Sequence, residues 1–128
     1  MCIRDSDQRL TKAKLDGGRN FTNKLWNAAR FVLGSRPDGD MTNAVVEPSL
    51  ASRWIASRLA VATEQATRQL DALDLAGYAA TVYDVAWSDY CDWFLEMAKV
   101  DLRRPGATDA ERNGTWLAAA EGLSLIHI

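Results

Sequence analysis

The stretch from Gly17 to Leu33, GGRNFTNKLWNAARFVL, constrains the fold more than any other part of the chain. Wound at about 100° per residue, it separates into two faces. Phe21, Leu25, Ala28, Ala29, Val32 and Leu33 make a broad apolar stripe, with Trp26 at one edge. Asn20, Asn23, Lys24, Asn27 and Arg30 make the other face, and Phe31 falls among them. A helix striped in this way buries its apolar side against other helices. The spacing therefore predicts a helix from Gly17 to about Leu33, broken upstream by Gly17-Gly18 and stopped at Gly34, a residue suited to a C-terminal cap.

The rest of the chain repeats that period. Ser49 is placed to cap a second helix, Ser49–Leu73, with Ile55, Leu59, Ala62, Ala66, Leu70 and Leu73 on its apolar face. Leu50, Trp54 and Val61 widen that face. A tight turn around Asp74 leads to a third helix, about Leu75 to Arg103. Its stripe reads Leu75, Ala79, Val82, Ala86, Tyr90, Trp93, Met97 and Val100. Tyr83, Trp87 and Phe94 lie on its other faces, which points to packing on more than one side. Trp54, Trp87 and Trp93 read as core residues. Thr108 and Glu111 have the spacing of a capping box and open a fourth helix with Trp116, Leu117 and Ala120 on one side. No strand-like alternation occurs, so the expected class is all-α, an antiparallel helix bundle.

Between the first two helices, Ser35–Pro48 is a linker by composition. Arg36-Pro37-Asp38-Gly39-Asp40 is turn chemistry, and the segment is expected to be a surface loop.

The two ends read differently from the middle. One nucleotide string, ATGTGTATAAGAGACAG, encodes Met1-Cys2-Ile3-Arg4-Asp5-Ser6 through the first two bases of the Ser6 codon. Its reverse complement encodes Leu123-Ser124-Leu125-Ile126-His127-Ile128 up to the first two bases of the Ile128 codon. The string resembles a sequencing-library adapter translated at both ends. Residues 1–6 and 123–128 are therefore expected to be non-native and are set aside from the fold. Residues 7–122 are expected to be an incomplete bundle, truncated at both ends, whose fourth helix is cut off at Gly122. Cys2 and His127, the sole histidine, fall with those ends. Cys91 is then a lone cysteine, expected to be a small buried core residue, and there is no Cys/His metal site.

Charge is distributed unevenly. Asp7–Arg36 carries seven Lys and Arg against two Asp, a balance of +5. Pro37–Gly122 carries seven Lys and Arg against fourteen Asp and Glu, a balance of −7. A polyanion would be attracted to the first part and repelled by much of the second. Asp89, Asp92 and Glu96 line one ridge of the third helix. Their expected role is pairing with Arg side chains on neighbouring helices, although a base-edge acceptor role also fits; a divalent-metal or paired-carboxylate site is disfavoured because no His and no second acidic helix faces the ridge. No segment is apolar over the roughly 20 residues that span a bilayer, and a cytoplasmic origin is the default expectation. The residues show no phosphate-binding Gly loop, no nucleophile with a histidine and no metal-ligand spacing.

Two runs carry a family resemblance. Gly18-Arg19-Asn20-Phe21-Thr22-Asn23-Lys24-Leu25-Trp26-Asn27-Ala28-Ala29-Arg30-Phe31 resembles the start of the anticodon-binding helical domain of valyl-tRNA synthetases. Asp84-Val85-Ala86-Trp87-Ser88-Asp89-Tyr90-Cys91-Asp92-Trp93-Phe94-Leu95-Glu96-Met97-Ala98-Lys99 resembles a later signature helix of that family. Ser52-Arg53-Trp54-Ile55-Ala56-Ser57-Arg58-Leu59 is similar to the helix between them, and Asp7-Gln8-Arg9-Leu10 to the entry into the domain. The likeness spans Asp7–Lys99 and grows less distinct beyond it. Ser88 stands where the family commonly has Asn, and Gly18 where Ala or a larger residue is usual. Isoleucine and leucine enzymes share the architecture; the Cys-Asp-Trp-Phe-Leu-Glu string favours valine.

The resemblance implies a class I aminoacyl-tRNA synthetase, a ligase that joins valine to tRNA with ATP and Mg²⁺. The HIGH and KMSKS motifs that handle ATP do not occur in this chain, so no catalytic residue or cofactor is expected within it. The family's bundle holds the anticodon stem-loop of tRNA. RNA loops are held by cations on phosphates and by stacking and hydrogen bonding on splayed bases. On that basis Lys24 and Arg30 are candidate phosphate contacts. Asn20, Asn27 and Phe31 are candidate base-edge and stacking contacts, and Arg53 and Arg58 are alternatives on the second helix. The same polar residues would equally suit a seam to the catalytic domain of the same polypeptide, or caps on loops between helices. A helical interaction module without an RNA role is the remaining alternative.

Overall fold

The computed structural model describes residues 9–127, with side chains through residue 126. The amino-terminal hexapeptide and the Asp7-Gln8 part of the entry motif lie outside the described residues. All regular structure among the described residues is helical: α1 (Lys12–Gly34), α2 (Leu50–Asp71), α3 (Leu75–Asp84), a π-helical segment (Val85–Phe94), α4 (Leu95–Arg103) and α5 (Asp109–His127). α3, the π segment and α4 run on without a break, since Val85, Phe94 and Leu95 all keep right-handed helical angles.

α1 does not break at Gly17-Gly18. It begins at Lys12, capped by Thr11, whose side chain accepts from the Lys14 amide at 3.3 Å. Two glycines in an exposed helix interior cost about 1 kcal/mol each relative to alanine. The helix bridges them with an Arg19–Asp16 ion pair at 3.1 Å and a Thr22 hydroxyl donating to the Gly18 carbonyl. The helix ends at Gly34 as the sequence predicts, but the cap is Ser35, whose N–H donates to the Phe31 carbonyl at 3.0 Å, and Gly34 itself stays in the helix without a left-handed φ.

α1's buried side is rotated from the expected stripe. Ala28 and Val32 are buried, while Leu25 and Phe31 are half-buried against the core. Trp26 and Leu33 are exposed. α1 packs chiefly on the π segment and α5, with Phe21 against Tyr83 of α3 and Phe31 near Lys99 of α4, so the covered arc is narrow. Trp26 and Leu33 fall outside it, and Phe31, expected on the polar face, falls inside.

α2 starts at the Ser49 cap as expected, with Ser49 Oγ accepting from the Ser52 amide at 3.1 Å. Ile55 and Leu59 are buried, whereas Leu50, Val61, Leu70 and Leu73 are exposed. The turn to α3 places Leu73 at φ 58, a left-handed conformation uncommon outside glycine and Asn.

The π segment explains why the third stripe differs from the expected one. Each backbone bond there spans i to i+5 rather than i to i+4, so the inward repeat lengthens to a strict four: Ala86, Tyr90, Phe94 and Ala98, all fully buried. Trp93 and Val100, which a 3.6-residue period turns inward, are exposed, and Leu75 at the start of α3, ahead of the π segment, is exposed as well. Trp93 is therefore not core. It rims a groove of 830 Å³ with Trp54, Met97 and Val100. Trp54 is half-buried against the core and Trp87 is half-buried.

α5 closes the bundle through Thr115, Ala119 and Gly122, all buried, with Trp116 and Ala120 of the expected side half-buried against the core. Tyr90 Oη donates to the Ala119 carbonyl at 2.6 Å. A Cβ on Gly122 would lie 2.5 Å from Tyr90 Cε2, so the approach needs glycine. Trp116 Nε1 donates to the Val32 carbonyl at 2.8 Å, tying α5 to α1. The capping box forms as predicted: Thr108 N–H donates to Glu111 Oε2 at 2.8 Å and Glu111 N–H to Thr108 Oγ1 at 3.2 Å. The helix does not stop at Gly122. It continues to His127, and Leu123 and Ile126 pack on the core.

The 35–48 linker is only partly a free loop. Gly39 takes φ 106 in the expected turn. The far end is docked on α5, with Glu47 N–H donating to the Ala110 carbonyl at 2.9 Å and Asn113 Nδ2 to the Val45 carbonyl at 3.3 Å. Gly114 permits that seating, because a side chain there would strike the Glu47 backbone.

Candidate nucleic-acid interface

Asn20, Lys24, Asn27 and Phe31 recur at i, i+4, i+7 and i+11, which sets them on one ridge of α1. The narrow packing arc of α1 puts this ridge beside the π segment and α4. Lys24, Asn27 and Phe31 line a 240 Å³ groove there, whose opposite wall includes Cys91, Asp92, Glu96 and Lys99. Phe31 is half-buried, and Lys99 Nζ lies 5.6 Å from its ring centroid. Asn20, Asn27 and Arg30 are exposed. Three of the candidate residues thus meet at one groove. Asn20 and Arg30 are not among its lining residues, and Arg53 and Arg58 stand apart on α2, both exposed.

Lys24 is already engaged. It is ion-paired with Asp92, and its Nζ sits 3.7 Å from the Trp87 ring centroid. Its side chain is 25% exposed, so a ligand would compete with two partners. Arg58 pairs with Asp89 at 2.9 Å, and Lys99 with Glu96 at 2.6 Å. All three acids of the expected ridge are therefore held by cations, two from neighbouring helices and one from three residues on. Partly exposed pairs of this kind contribute about 0–1 kcal/mol each, and their main effect here is to orient the side chains.

Cys91, in the groove wall, is buried. Burial pushes its thiol up from the ordinary value of 9.0 and Asp92 adds to the rise, while Lys24 opposes it. The thiol is protonated at neutral pH and acts as a small apolar contact rather than a nucleophile. Among the described residues, no cluster of His, Cys, Asp and Glu is disposed to hold a metal ion.

Sequence reasoning missed an aromatic stack at the upper end of the groove. Phe21, Tyr83 and Trp87 lie nearly parallel, with centroids 4.8 Å apart for Phe21–Tyr83 and 5.6 Å for Tyr83–Trp87. Tyr83 is exposed and the other two are half-buried. Tyr83 and Trp87 sit at i and i+4, a spacing that pairs side chains on a helix. Their meeting with Phe21 depends on how α1 crosses α3, which no local pattern records. Lys99 was also missed as a groove residue, although it lies inside the signature run.

Comparison with known proteins bears on what this groove belongs to. The family described as the anticodon-binding domain of tRNA ligase matches residues 52–125. The chain is 38% identical over 127 residues to a valine–tRNA ligase of Geobacter sulfurreducens, covering 94% of this chain and 14% of that protein. It is 46% identical over 101 residues to one from Thermus thermophilus, covering 79% of this chain and 12% of that protein. A valine–tRNA ligase of Coxiella burnetii is 36% identical over 127 residues, covering 98% of this chain and 14% of its own length. The chain thus spans about one-seventh of the length of these relatives. With a helical bundle of this order and a family match over more than half its residues, the chain belongs to the anticodon-binding domain family of tRNA ligases.

Proposed function

We propose that this chain is the anticodon-binding part of a valine–tRNA ligase, and that the groove between α1 and the π segment with α4 meets the anticodon stem-loop of tRNA. The observation that carries the reading is the convergence of Lys24, Asn27, Phe31 and Lys99 on one groove, next to the Phe21–Tyr83–Trp87 stack. Cations, an amide and accessible ring faces are the equipment with which proteins hold single-stranded RNA loops. The relatives named above are valine enzymes, which supports valine over isoleucine or leucine. Residues 7–122 are the functional bundle in this reading, with residues 1–6 and 123–128 foreign to it.

The complete ligase joins valine to tRNA with ATP and Mg²⁺ and works in the cytoplasm. In this reading the bundle contributes recognition of tRNA. No helix among the described residues is long and apolar enough to cross a membrane.

The test is a filter-binding titration of tRNA with Lys24→Ala plus Arg30→Ala. Removing two phosphate contacts lowers affinity and reduces the slope of log affinity against log salt by about 2. Unchanged affinity and slope would remove these residues from the interface.

A further inference from the structure

A second, smaller pocket continues from the groove. It has a volume of 210 Å³ and lies where the end of α1, the end of α4 and the start of α5 meet. Phe31 and Lys99 line both cavities, so the two are contiguous. Three cations from two helices converge on the smaller one: Lys99 and Arg103 of α4, at i and i+4, and Arg112 of α5. Ser35 lines it as well.

The three cations are not equally committed. Lys99 is paired with Glu96. Arg103 stands in the last turn of α4, where a cation complements the helix dipole without further help. Arg112 has no such explanation. It lies in the opening turns of α5, three residues after Asp109, where the dipole disfavours positive charge. Its Nε is buried and has no hydrogen-bond partner. Neighbouring Glu111 is taken by Arg104 at 2.6 Å. Neither Arg112 nor Arg103 has an ion-pair partner among the described residues, so the charge lining the pocket is uncompensated and an oxyanion there would balance it. Arginine's planar fork suits phosphate in particular.

We propose that this pocket seats one phosphate of the RNA backbone, held by Arg112 and Arg103 with Lys99 at its rim. The phosphate would be anchored beside the groove while Phe31 and Asn27 face the adjoining nucleotides. This inference rests on the RNA-binding reading, and it adds a phosphate anchor on α4 and α5, away from the basic first helix.

The test uses the 128-residue chain, its variants Arg112→Gln and Arg103→Gln, an anticodon stem-loop RNA and inorganic phosphate. Circular dichroism checks that the variants remain helical, and Arg103, being exposed, gives a substitution that spares the core. Each variant is expected to bind the RNA about tenfold more weakly at low salt and to lose about 1 from the salt slope. Inorganic phosphate is expected to shift the NMR signal of the Arg112 Nε–H group in the wild-type chain. If the wild-type chain binds the RNA and both variants keep its affinity and slope, the pocket is not a phosphate anchor and the RNA reading survives. If inorganic phosphate shifts Arg112 while the wild-type chain binds no RNA, the RNA reading falls. The pocket is then a free-anion site, which overturns the proposal.

Discussion

Lys24 on α1 is clamped between Asp92 and the face of Trp87, with its Nζ 3.7 Å from the ring centroid. The residue most naturally assigned to an RNA phosphate is thus held by an acid and an aromatic of the same bundle. An ion pair and a cation–π contact at a partly exposed site are each modest, about 1 kcal/mol or less. Under the proposed RNA reading a phosphate competes with both partners for Lys24, so substitutions on the two sides of the clamp are expected to act in opposite directions. Lys24→Ala should weaken binding of the anticodon stem-loop and reduce the salt slope by about 1. Asp92→Asn should free the ammonium and tighten binding roughly threefold at low salt, an advantage that fades as screening rises. Paired titrations over a range of salt check both directions. Loss of affinity in Asp92→Asn would mean that the clamped geometry, rather than the cation, is what RNA reads.

The buried hydroxyl of Tyr90 donates to the Ala119 carbonyl at 2.6 Å, and burial raises its pKa well above the ordinary 10.0. Tyr90→Phe should cost about 1–2 kcal/mol, read as a lower midpoint in urea unfolding. RNA affinity of the folded chain should be unchanged, because Tyr90 faces the core and not the groove.

Glycines separate into two kinds. Gly17 is exposed in a helix interior with nothing near its missing side chain, so Gly17→Ala should stabilise the chain by about 1 kcal/mol. Gly114 is buried against the Glu47 backbone, so Gly114→Ala should destabilise by about 1–3 kcal/mol through overpacking and undock the linker. Thermal melts of the two variants should move in opposite directions.

The capping box sets a pH dependence. The Thr108 backbone N–H and then the Arg104 guanidinium hold the Glu111 carboxyl below its ordinary value of 4.5. A carboxylate with a lowered folded pKa stabilises the fold fully above its unfolded value, and that contribution disappears as pH falls through the folded one. Glu111→Gln should therefore be less stable than the wild-type chain at neutral pH and should converge on it as pH falls below the ordinary glutamate value of 4.5 and through the lowered one. Urea midpoints measured across that range check the convergence.

Local chemistry was the legible part of the sequence. Thr108 and Glu111, Ser49, and the Gly34 stop depend on residues within four positions of one another, and the structure places all three as expected. Asp89, Asp92 and Glu96, expected to pair with arginines of neighbouring helices, are all in ion pairs, but only Asp89 meets an arginine; Asp92 is held by Lys24 and Glu96 by Lys99 of its own helix. What the sequence left hidden was rotation. A 3.6-residue period turns Trp93 inward, but the i to i+5 bonding of Val85–Phe94 turns Phe94 inward instead and leaves Trp93 65% exposed. The position of Phe31 was hidden for a related reason. Its fate depends on which arc of α1 meets the π segment, a property of the helix pair and not of either helix alone. The Phe21–Tyr83–Trp87 stack and the convergence of Arg112 with Arg103 are likewise products of crossing helices.

In the proposed complex RNA lies along the α1 ridge and the wall formed by α4. Photo-crosslinking from a 4-thiouridine placed in the loop of a valine anticodon stem-loop, followed by peptide mapping, tests it most directly. Crosslinks should map to peptides containing Asn27 and Phe31 on α1 or Lys99 on α4, and a Phe31→Ala variant should lose those on α1. Crosslinks confined to α2, around Arg53 and Arg58, would contradict the account.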